Sequence, residues 1–143
     1  MSGTKFEYPD VKHQMNGRPV LLLADDDEDD QILFKEALAS IHSGIICIVA
    51  NNGKEVLRLL RQDIFAKPDF IFLDLNMPIM DGMACLELLK KDPVLKEIPV
   101  IIYSTTITEF LLAQTKKLGV YITIKKPDNI DYLTDFLREL LEL

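Results

Sequence analysis

The chain has no tryptophan and only two cysteines, and no apolar run in it comes near the length of a membrane span. Each absence excludes something. Cys47 and Cys85 lie far apart in apolar stretches and lack the C-x-x-C spacing of a metal or redox pair, so they read as buried, reduced thiols of a cytoplasmic protein. A membrane-spanning helix needs roughly 18 consecutive apolar residues, and none is present. Residues 1–18 are polar and lack the apolar stretch of a signal peptide. Positive charge is also scarce, with 16 Lys and Arg against 23 Asp and Glu, a net charge of −7. Such a chain is a poor partner for nucleic acid or an anionic membrane, both of which recruit Lys and Arg. There is no internal repeat, low-complexity tract or linker, and 143 residues suit one domain. At 48% hydrophobic and 27% charged residues, that domain can bury a core without a disulfide or metal.

What is present is an alternation of short apolar runs with amphipathic stretches. Residues 19–24 are apolar and end abruptly in acids, which suits a strand buried on both faces. Residues 28–39 place Ile32, Leu33, Ala37 and Leu38 at helical spacing. A β-branched run at 45–49 is a second strand, and the turn Asn51-Asn52-Gly53 leads into a helix marked by Val56, Leu57, Leu59 and Leu60. Pro68-Asp69 launches a third strand at 70–73, and 82–91 is helical until Asp92-Pro93 stops it. Residues 98–103 form a fourth strand, 108–118 a helix closed by Gly119, 120–124 a fifth strand and 130–143 a last helix. Five strands alternating with five helices predict an α/β domain, a doubly wound parallel sheet covered on both faces. The domain occupies 18–143, behind a loosely ordered extension at 1–17.

In open sheets of this kind the functional site lies beyond the carboxyl ends of the strands. Asp25-Asp26-Asp27 ends the first strand, Asp74 the third, Ser104-Thr105 the fourth and Lys125-Lys126-Pro127 the fifth. Crowded carboxylates repel, and a hard divalent cation such as Mg²⁺ or Mn²⁺ relieves them through oxygen ligands. Asp25 and Asp26 are pinned to the strand end, whereas Asp27, Glu28, Asp29 and Asp30 read as a solvated helix start beside the positive dipole end. Asp25, Asp27, Asp29 and Glu36 mimic a calcium loop, but Asp30 stands where that loop needs glycine. Asp74 can act as a nucleophile towards phosphorus, with Asn76 offering a backbone carbonyl to a metal. Ser104 can donate its hydroxyl to a phosphoryl oxygen, and Lys126 can meet the same group as a point charge. Pro127 raises the chance of a cis bond after Lys126.

Leu22-Leu23-Ala24-Asp25-Asp26-Asp27, Leu73-Asp74-Leu75-Asn76-Met77-Pro78-x-x-Asp81-Gly82, Pro99-Val100-Ile101-Ile102-Tyr103-Ser104 and Lys126-Pro127 resemble the receiver domain of two-component response regulators. The likeness covers about 18–143 and is greatest to the small stand-alone receivers that include partners of bacterial phytochromes. It implies a flavodoxin-like sheet in the order 2-1-3-4-5 and a phosphoryl-aspartate switch. By resemblance Asp74 is the phosphoacceptor. Asp26, Asp74 and the Asn76 carbonyl hold Mg²⁺, with Asp25 acting through water. Ser104 and Thr105 provide the switch hydroxyls and Lys126 binds the phosphate. The expected donor is a histidine kinase or a histidine phosphotransfer protein, and the receiver largely catalyses the transfer itself.

One departure stands out. The aromatic residue that many receivers carry three positions before the lysine is replaced by Thr123, with Tyr121 two residues earlier. No output domain is expected after the receiver, and signalling is expected by protein contact, including a homodimer through the last two helices and strand. Phe110, Leu111, Leu112 and Tyr132 lie in the last two helices, most of them expected to pack in the core and some to form such a face. An aspartyl-phosphate phosphatase fits less well, because Asn76 stands where such enzymes need a second, proton-shuttling aspartate. A receiver that binds partners without being phosphorylated is the remaining alternative.

Overall fold

The apolar runs become β1 (Val20–Ala24), β2 (Ile46–Ala50), β3 (Phe70–Leu73), β4 (Val100–Ser104) and β5 (Ile122–Lys125). They form one parallel sheet in the order β2-β1-β3-β4-β5. The structure, a computed structural model, describes residues 6, 8–9, 17–42, 44–62 and 67–142. Strands β3 and β4 are buried along their whole length, as central strands covered on both faces must be. Helices α1 (Glu28–Ile41), α2 (Gly53–Leu60), α3 (Gly82–Lys91), α4 (Glu109–Lys117) and α5 (Ile130–Leu140) supply the cover.

Side chains of a strand point alternately to opposite faces, so parity sorts the core into two layers. Leu21 and Leu23 pack with Phe34 and Leu38 of α1 and with Leu133, Phe136 and Leu137 of α5. Leu22 and Ala24 pack with Val56, Leu57 and Leu60 of α2 and with Cys85, Leu86 and Leu89 of α3. Each of the five helices begins with a side-chain cap: Asp27, Asn52, Asp81, Thr108 and Asn129 accept from the backbone N–H three residues on. These caps stand at the same sheet edge as the strand ends, because each helix starts where a strand has just finished.

The boundaries differ from expectation in a few places. The fourth strand starts at Val100, because Leu95–Glu97 wind into a 3₁₀ turn that Ile98 closes onto the Leu95 carbonyl. Ser104 belongs to that strand and not to the loop after it. The last helix stops at Leu140, with Leu141 as its cap and Glu142 in the left-handed region at φ 58°. Most of the N-terminal extension lies outside the described residues. Where it is described, Phe6 meets the Phe136 ring edge-on at 4.7 Å and the Tyr132 ring at 5.5 Å, and Tyr8 lies 6.5 Å from Tyr121. Among the described residues no helix is long and apolar enough to cross a membrane.

Candidate functional site

The sheet edge gathers Asp25, Asp26 and Asp74, whose carboxylate oxygens lie within 4.8 Å of one another. Ladder contacts set the two ends: the Asp25 N–H donates to Ala50 O at 3.0 Å and the Asp74 N–H to Ala24 O at 3.0 Å. Asp25 is wholly buried and Asp74 nearly so, while Asp26 faces solvent. The Asn76 N–H donates to Asp74 Oδ1 at 3.1 Å and the Asp27 N–H to Asp25 Oδ1 at 3.0 Å, which fixes the direction of both carboxylates. Gly82 permits this geometry. A Cβ there would stand 2.1 Å from the Asp74 carbonyl oxygen, so any side chain would push α3 off the loop.

Lys126 enters from the end of β5, its own N–H bound to Ser104 O at 3.0 Å. No described peptide bond is cis, so the lysine points inward without the cis proline that the sequence allowed. Its ammonium lies 2.7 Å from Asp25 Oδ2, 2.8 Å from Asp30 Oδ2 and 2.9 Å from Asp74 Oδ2. Burial disfavours that charge, yet the three carboxylates more than offset burial and hold the lysine above its ordinary range. Burial likewise raises the Asp25 carboxyl above the usual carboxylate range, against the pull of Lys126 and of the Asp27 N–H. Ser104 is fully buried and its Oγ has no hydrogen-bond partner. A buried hydroxyl left without a partner is rare enough to require a reason. Thr105, one residue further, is exposed.

Three residues were not legible as members of this site. By local pattern Asp30 belongs with its neighbours to a solvated helix start. That describes Asp27, which caps α1, and the exposed Glu28 and Asp29, but not Asp30, which pairs with Lys126. Helical spacing gives no signal for it, because Asp26 lies ahead of α1 and the extended Asp27 cap stands between the two. Gln31 ties two strand ends together, its Nε2 donating to Asp25 O at 2.6 Å and to Asn51 Oδ1 at 3.0 Å. Tyr103, buried one residue before Ser104, lies with its ring centroid 5.7 Å from the Lys126 ammonium. The aromatic group beside the lysine therefore comes from β4. Thr123 is half-buried on β5, and Tyr121 packs edge-on against Phe70 at 5.4 Å.

Chemically, the arrangement is a set of hard oxygen donors facing an inward cation and an unpartnered hydroxyl. Comparison with known proteins places the sheet and its carboxyl edge within one family. The family model of the response regulator receiver domain matches residues 21–138. Response regulator Rcp1 of Synechocystis is 30% identical over 124 residues, covering 84% of each chain. The solved structure of the phosphorylated cyanobacterial phytochrome response regulator RcpA is similar at a TM-score of 0.80 and 33% identity, covering 88% of this chain and 93% of that one. The Mn²⁺-bound form of Rcp1 is similar at 0.75 and 28%, covering 85% and 91%.

Proposed function

This chain belongs to the response regulator receiver domain family, whose members are phosphoacceptor signalling domains, and from that membership we propose that it accepts one phosphoryl group on Asp74. The donor would be a phosphohistidine of a histidine kinase or of a histidine phosphotransfer protein. The observation that carries this reading is the unpartnered, buried Ser104 hydroxyl at the strand edge that also holds Asp74 and the inward Lys126.

An Asp74 carboxylate oxygen attacks phosphorus. The new O–P bond forms as the donor's P–N bond breaks, and that electron pair stays on the donor imidazole, which takes up a proton. Asp74 is held for this by the Asn76 N–H on Oδ1. Lys126 meets the added negative charge with an ammonium already in place, and Ser104 supplies a donor that has nothing else to bind. The carboxylates fit a hard divalent ion: Asp26, Asp74 and the Asn76 carbonyl would hold Mg²⁺, or Mn²⁺ in its place, with Asp25 acting through water. Such an ion supplies charge neutralisation for the carboxylates and for the incoming phosphoryl oxygens.

Output would pass by protein contact. Phe110 is 69% exposed on α4, Leu112 on α4 and Tyr132 on α5 are also exposed, and self-association through these helices and β5 is the proposed route. The cytoplasm is the proposed location. Burial pushes the free thiols Cys47 and Cys85 up to about 11 and about 12, so both are inert neutral groups at physiological pH. The test is intact-mass analysis with acetyl phosphate and Mg²⁺. Wild type should gain one phosphoryl group, and Asp74→Asn or added chelator should prevent it. A wild-type mass that never changes would leave the chain as a receiver that binds partners without being phosphorylated.

A further inference from the structure

Lys54, Arg58 and Arg61 follow one another along α2 at spacings of four and three residues, which sets them in a row on its exposed side. Like charges one turn apart repel. Lys54, the second residue of the helix, also stands at the positive end of the dipole, where a cation is disfavoured. Beneath this row Leu57, Met80 and Leu88 floor a groove of about 530 Å³. In an adjoining recess shared with Lys54 and Arg58 stands Ile79, 80% exposed and at φ 66°. A β-branched residue at positive φ is strained, and with so much of its surface in solvent no packing offsets that strain. Glu55 lines the recess, and Asp92 acts on Arg61 from nearby, yet cations dominate the groove in a chain of net charge −7.

Two local choices that folding does not favour, Lys54 at the helix start and Ile79 at positive φ, therefore meet at one groove, which is the pattern expected of a functional surface. We propose that this groove docks an acidic amphipathic segment of a partner protein. The partner's carboxylates lie along Lys54, Arg58 and Arg61, and an apolar side chain enters between Ile79, Met80 and Leu88. Charge complementarity selects this occupant: a nucleic acid would bring phosphates to the cations but no apolar side chain to the groove floor. The groove is structurally joined to the strand-edge site, since the Gly53 N–H donates to Met80 O at 2.9 Å and Met80 lies in the loop after Asp74. The docking itself needs no phosphorylation.

Fluorescence anisotropy with a labelled helical peptide of Glu and Leu tests this, with its Lys-for-Glu counterpart and a single-stranded DNA oligonucleotide as controls. The Glu peptide should bind the unmodified protein and be weakened by salt. Combined Arg58→Glu and Arg61→Glu should weaken it by roughly tenfold or more. Ile79→Gly should weaken it severalfold while raising the unfolding midpoint, a combination that a merely structural role cannot produce. Both variants should still take up phosphoryl groups from acetyl phosphate, so a failure of docking is distinguishable from a failure of the phosphotransfer reading. No binding of the Glu peptide at low salt, equal binding of either control, or indifference to the charge reversal or to Ile79→Gly would each overturn the proposal.

Discussion

Phe72 and Asp74 lie two residues apart at the end of one strand, and their surroundings obey opposite rules. Phe72 is wholly buried among the rings of Phe34 at 4.8 Å, Tyr103 at 5.8 Å and Phe136 at 6.2 Å, all near edge-on. Every contact there lowers the energy of the fold. Asp74 faces two further carboxylates across less than 4.8 Å and shares one lysine with Asp25 and Asp30. The sheet interior has no conflict to resolve, whereas its carboxyl edge concentrates a buried acid, an unpartnered hydroxyl and a shared cation. The comparison teaches that the interior supplies the rigidity with which the edge holds an unfavourable charge arrangement ready for a ligand.

The largest effect should come from breaking the interior. Phe72→Ala removes a ring with no solvent exposure and should lower stability by about 3–5 kcal/mol, read as a shift in the urea midpoint. The fraction still folded should take up phosphoryl groups at the wild-type rate. If it does not, interior and edge are not separable. Gly82→Ala tests their junction and should rank next, at about 2–3 kcal/mol, because the clash is with the Asp74 backbone and no flexible side chain can give way. Here phosphorylation should fall together with stability.

Asp25→Asn should act in the opposite direction. Burial raises the Asp25 carboxyl, so this group's contribution to stability is full below the ordinary carboxylate pKa and is lost as pH rises through the raised folded value. At neutral pH the ionised side chain therefore works against the metal-free fold. Removing its charge should stabilise that form near pH 7, with the gain disappearing at acid pH. Thermal melts across pH check the sign. The same variant should also show a smaller Mg²⁺-induced rise in melting temperature than wild type.

The architecture was legible because its signals are local. Apolar runs of β-branched residues, Asp92-Pro93, Gly119 and the polar caps mark where elements start and stop, and parallel strands then bring their carboxyl ends to one edge. Asp25, Asp26, Asp74, Ser104 and Lys126 were readable from that placement alone. What escaped were contacts between segments that share no local pattern. Phe6 against Phe136 joins the two ends of the chain, and no nearby residue announces it. Tyr103 beneath Lys126 depends on how two neighbouring strands align. Ile79 at positive φ had no signal at all, because isoleucine is among the residues least expected there.

Asp30 offers the finest distinction between the two regions. An ammonium has three N–H donors, and in this structure Lys126 faces three carboxylates. A phosphoryl oxygen arriving at Asp74 has to take over one of those donors. Asp25 and Asp74 are fixed by strand ends and by backbone N–H groups, while Asp30 stands on the first turn of α1 with its side chain 34% exposed. Asp30 is therefore the partner whose release costs least, since water replaces the lysine there. Asp30→Asn should change stability by less than about 1 kcal/mol, the range of a partly exposed ion pair. It should nonetheless speed phosphoryl uptake from acetyl phosphate at saturating Mg²⁺ by a few-fold, because one lysine donor is then free in advance. An unchanged rate would show that Lys126 has already left Asp30 once the site is loaded with metal, which would place the exchange before the arrival of the phosphoryl group.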